Sequence, residues 1–77
     1  MNLKEALSIH LEALEIRKTK LGIVHYFTNK SRLALARLFK QLGQADDFIK
    51  ISDELIENCK GDNIENAALI STLHELS

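Results

Sequence analysis

Seventy-seven residues, 45% of them hydrophobic but only 5% aromatic, with no tryptophan or proline, leave room for one domain whose core is built from Leu, Ile and Ala. That composition suits helix packing better than a sheet, which prefers β-branched and aromatic residues. A net charge of −1 conceals a split: residues 1–41 hold eight Lys/Arg against three Asp/Glu, giving +5, and residues 42–77 hold two against eight, giving −6.

Both halves are apolar enough to fold, so neither reads as a charged disordered tail. The split has two readings. Neighbouring helices attract each other, or the basic end of one chain meets the acidic end of another. The single cysteine, Cys59, points to a reducing compartment. The start, Met1-Asn2-Leu3-Lys4-Glu5, lacks the basic-then-apolar run of a signal peptide. No apolar run nears the ~20 residues that span a bilayer. A soluble, cytoplasmic protein is the expectation.

The first predicted helix runs from Leu3 to about Lys20, with Asn2 as cap and Glu5 completing a capping-box pattern. Leu3, Ala6, Leu7, His10, Ala13, Leu14, Arg17 and Leu21 follow helical spacing, and Ile9, Leu11 and Ile16 widen the apolar face. A helix apolar over more than one stripe packs between two neighbours. Arg17, Lys18 and Lys20 suit its C-terminal dipole, and Gly22 suits a left-handed end position. The second predicted helix begins near Tyr26, with Ser31 as the alternative start, and ends at Leu42 before Gly43. The third begins at Gln44 or Ala45, buries Phe48, Ile49, Ile51, Leu55, Ile56 and Cys59, and stops at Gly61. The fourth follows Asp62 and uses Ile64, Ala67, Ala68, Leu69, Leu73 and Leu76. Short connections make successive helices antiparallel.

Ala6 and Ala13 lie seven apart and are followed by Leu14. Then come Leu21-Gly22, His25, Leu35-Ala36, Phe39 and Gly43. This joint spacing resembles the long, 42-residue form of the tetratricopeptide (TPR) repeat, the kind seen in kinesin light chains. Tyr26 stands where that pattern usually has proline. One repeat further on the match weakens: Ala6 becomes Phe48, Ala13 becomes Leu55, and position 22 becomes Ile64. The resemblance implies an all-α fold of about four helices, antiparallel pairs stacked as a short right-handed solenoid. It divides residues 1–77 into a half repeat (2–21), a full repeat (23–60) and a half repeat (62–77). A half repeat at each end implies either a piece of a longer array or self-association through the first and fourth helices.

No two of His10, His25 and His74 have the spacing of a helical zinc site, and there is no Cys-x-x-Cys. His10 reads as a packed core residue, His25 as a turn or cap residue, and Cys59 as a small buried hydrophobe. No nucleophile or Gly-rich loop stands in a catalytic context. The expectation is a non-enzyme with no catalytic, cofactor or metal residues.

The resemblance instead implies a groove lined by the second helix, with Lys30, Leu33, Arg37, Lys40 and Gln41 as partner-binding residues. Three cations and one leucine would favour an acidic peptide or helix of a partner protein. Tyr26 and Phe27 read equally well as partner anchors or as a hydrophobic staple. Two alternatives remain at this point: a closed four-helix regulatory or dimerisation domain, and nucleic-acid binding through Arg17, Lys18, Lys20, Lys30, Arg32, Arg37 and Lys40. The acidic half argues against the second. Tryptophan at position 13 should overpack a helix contact.

Overall fold

The computed structural model describes residues 2–59 and 64–76. Four helices follow one another: α1 (Leu3–Leu21), α2 (Tyr26–Leu42), α3 (Ala45–Asn58) and α4 (Ile64–Leu76). The all-α expectation is met, and the described residues contain no strand. The stop expected at Gly61, the start after Asp62 and the repeat boundaries at 60 and 62 lie outside the described residues.

Local chemistry explains the helix ends. Asn2 Oδ1 accepts from the Glu5 N–H at 2.8 Å, which satisfies an orphan donor of α1. His25 caps α2, its Nδ1 accepting from the Phe27 N–H at 3.1 Å. That cap sets the start of α2 at Tyr26 and not Ser31, although no proline is there to fix it. Gly43 takes φ 74° and ψ 19°. Its N–H reaches Lys40 O, and the next N–H reaches Phe39 O at 2.9 Å, closing a Schellman turn. Gly22 departs from expectation: φ is 103° but ψ is 157°. The chain leaves α1 extended, in a region open essentially to glycine alone, and does not curl into a left-handed turn.

α2 is the centre of the packing. Arg17 of α1 donates to Ser31 Oγ at 2.8 Å, whereas Asn29 donates to Asn66 Oδ1 of α4 at 3.4 Å. Residues two apart project about 200° apart on a helix, so α1 and α4 lie on opposite flanks of α2. No Cα of α1 comes within 8 Å of a Cα of α4 or of α3. The molecule measures 35 × 28 × 18 Å.

The core draws Leu33, Leu35, Ala36 and Phe39 from α2, Ile51, Leu55 and Cys59 from α3, Leu69 and Leu73 from α4, and only Leu14 from α1. The wide apolar face expected on α1 is therefore mostly open: Ile9, Leu11 and Ile16 are exposed, because α2 alone covers this helix closely. Ile49 and Ile56, expected inside, are exposed on α3, and Ile64 of α4 is 85% exposed.

Candidate interaction surface

A buried polar cluster holds the elements that carry the surface. The turn after α1 presents three successive carbonyls, and α2 answers each with a side chain. Thr28 Oγ1 donates to Gly22 O at 2.8 Å, an Arg32 guanidinium N–H to Ile23 O at 2.7 Å, and the Asn29 amide to Val24 O at 3.3 Å. The Asn29 amide also reaches Asn58 O at the end of α3, at 3.1 Å. Backbone oxygens without intrahelical partners must be satisfied somewhere, and here one polar side of α2 does it. Arg32, 1% exposed, further donates to Asn29 Oδ1 and to Glu54 Oε1, the latter at 3.1 Å. Lys18 of α1 approaches the same Glu54 oxygen at 3.3 Å. One carboxylate of α3 thus binds α1 and α2 together.

Burial alone would push the Glu54 carboxyl up. Hydrogen bonds from Arg32 and Lys18, with the charges of both, outweigh it and hold the group below its ordinary value. Its stabilising contribution is complete above the unfolded-chain value and drains away as pH falls through the lower folded one. The stability gap between wild type and Glu54→Gln should therefore be largest near neutrality and shrink below about pH 4.5, the ordinary glutamate value. Urea midpoints measured across that range check it, and a gap that widens toward acid would refute the assignment.

Burial pushes the Cys59 thiol up, with Arg32 pulling it partly back, so it stays protonated and behaves as the small hydrophobe expected.

Between α1 and α2 runs an open groove of about 340 Å³, lined by Ile9, His10, Ala13 and Arg17 on one side and Phe27, Lys30, Ser31 and Ala34 on the other. Two alanines set its depth. Its charged rim is wholly cationic: Lys30 is exposed, and the Arg17 guanidinium carbon sits 5.8 Å above the Phe27 ring. Phe27 is half-exposed along this groove, whereas Tyr26 turns in against the core. His10 is a groove residue and not the core residue expected, since no second helix covers that side of α1. The same geometry revises the expectation for position 13: Ala13 borders open space, so Ala13→Trp should fill the groove and leave the fold intact.

Five residues were expected to bind a partner. Lys30, Arg37 and Gln41 share one exposed strip of α2 with the half-buried Ala34, at helical spacing. Leu33 does not join them. It is buried in the core that includes Leu69 and Leu73, because α4 covers that flank of α2. Lys40 is exposed on the same flank as Leu33, its ammonium 5.9 Å from the Phe48 ring centroid. Of the seven cations weighed for nucleic acid, Arg32 is buried, Lys18 pairs with Glu54, and Arg17 is bonded to Phe27 O and Ser31.

A second, smaller groove of about 170 Å³ lies between α3 and α4, lined by Phe48, Ile49, Ser52, Asp53, Ile56, Leu73 and His74. The Ser52 hydroxyl in it is buried without a hydrogen-bond partner. Among the described residues no three His, Cys, Asp or Glu side chains come together, and no helix is long and apolar enough to cross a membrane. Comparison with protein-family models, with curated proteins and with solved structures finds no match, so the residues themselves carry the functional argument.

Proposed function

We propose that this chain is a non-catalytic protein-interaction module, an open stack of antiparallel helices of the TPR kind, whose α1/α2 groove receives an acidic helix or extended segment of a partner protein. The observation that carries this reading is the groove itself: apolar walls from Ile9 and Phe27, a shallow alanine floor at Ala13 and Ala34, and a rim with Arg17 and Lys30 and no carboxylate. Small floor residues let an incoming helix approach closely, and cations at the edge select its polar face. The separation of α1 from α4 favours an open stack over a closed four-helix bundle. The burial of Arg32 and the pairing of Lys18 with Glu54 disfavour a phosphate-binding patch.

The test uses a synthetic amphipathic helical peptide with glutamates on one face and Leu and Ala on the other, titrated by calorimetry. Binding should weaken about fivefold in Lys30→Glu/Arg37→Glu, on the scale of roughly 1 kcal/mol for exposed charges. It should vanish in Ala13→Trp, which fills the groove, while the circular dichroism spectrum of each variant stays helical. Binding that ignores both changes would end the reading.

A further inference from the structure

The α1/α2 and α3/α4 grooves differ in charge. With the Lys18–Arg32–Glu54 cluster set aside as internally paired, residues 1–41 keep six cations against three carboxylates, or +3. Residues 42–77 keep two against seven, or −5. The α1/α2 groove has Arg17 and Lys30 on its rim, whereas the α3/α4 groove has Asp53 and no Lys or Arg. α4 itself turns Leu69 and Leu73 inward and leaves Ala67, Ala68, Ser71 and Glu75 outside. That outer face is a short, small-residue surface with a carboxylate, complementary in size and sign to the alanine-floored cationic groove.

We propose that the occupant of the α1/α2 groove is α4 of a second copy of this chain, so that copies join head to tail; this rests on the reading of that groove as a helix receptor. The contact brings α4 of one copy between α1 and α2 of the next. It also lays α1 of that next copy along the α3/α4 groove. Ile9 and Ile16 then gain an apolar neighbour in Ile49 and Ile56. Each copy uses one end as receptor and the other as ligand. The contact is therefore heterologous and extends into chains or rings, unlike a symmetric pair.

Sedimentation velocity on the whole chain tests this from low to high micromolar concentration. The weight-average mass should rise at least about twofold with concentration, pass beyond dimer, and fall back on adding salt. Ala13→Trp blocks the receptor end, and Ala68→Arg, at an exposed position on the outer face of α4, sets a cation against the cationic groove at the other. Each variant alone should be monomeric. Mixed in equal amounts, they should form a one-to-one dimer, because each retains the end that the other has lost. A wild type that stays monomeric, or a mixture that fails to pair, overturns head-to-tail joining; so does a closed dimer unaffected by either change. If the wild type is monomeric yet the glutamate-faced peptide still binds, self-assembly fails and the groove reading stands. If neither happens, the groove reading falls with it.

Discussion

Arg32→Leu should destabilise the protein by about 3 kcal/mol, the lower end of what removing one member of a buried ion pair costs. The lower end applies because Glu54 is a third exposed and keeps Lys18 after the arginine is gone. What the leucine cannot replace is the donor set. Ile23 O loses its 2.7 Å partner, Asn29 Oδ1 loses the guanidinium, and Glu54 loses its 3.1 Å bond. Orphaned groups in so dry a place cost more than the bonds themselves were worth. Arg32→Lys should rescue little, since one ammonium cannot span three acceptors set around a planar fork. The double variant Arg32→Leu/Glu54→Leu should recover part of the loss, because it leaves no uncompensated carboxylate. Urea unfolding followed by circular dichroism measures all three. A loss below about 1 kcal/mol for Arg32→Leu would place the arginine in a role no larger than a surface pair.

Leu35→Ala should cost about as much, roughly 3 kcal/mol, by a different route. Leu35 is fully buried at the middle of α2, in one cluster with Leu14 of α1 and with Ile51 and Leu55 of α3. Truncation removes transfer energy and leaves a cavity that three anchored helices cannot close. A chain of this length has a total stability of roughly 4–12 kcal/mol, and at roughly 4–8 °C per kcal/mol the midpoint temperature should fall by about 12–24 °C. Ile49→Ala is the matched control: 57% exposed, it should change stability by no more than about 0.5 kcal/mol. Comparable losses at 35 and 49 would mean that the core is not where these helices put it.

Much of the local architecture was readable from residue order. The Asn2 cap, the His25 cap, the stop at Gly43 and the start of α3 each depend on chemistry within about four residues, and each lies where that chemistry indicates. The role of Arg32 was harder to see, although the signal was present. Thr28, Arg32, Leu35 and Phe39 share one helical stripe, and Glu54 stands beside Ile51 and Leu55. Charge led Arg32 to be counted with the surface cations. Only the neighbouring carbonyls of Ile23 and the carboxylate of Glu54 make its burial tolerable. Leu33 was misplaced for the complementary reason. It sits one helical step from both Lys30 and Arg37, and no spacing rule says which flank of that strip a later helix will cover.

Helix number, helix ends and the opposed charge of the two halves therefore belong to the linear chain, because propensity, capping and composition act through neighbours along it. Which apolar faces are covered belongs to the tertiary structure. α1 and α3 each carry more hydrophobic surface than their partners reach, and that excess is distributed by where α4 and the turn at Gly22 send the chain. Burial is a property of two surfaces meeting, and only one of the two is written in any given stretch of sequence.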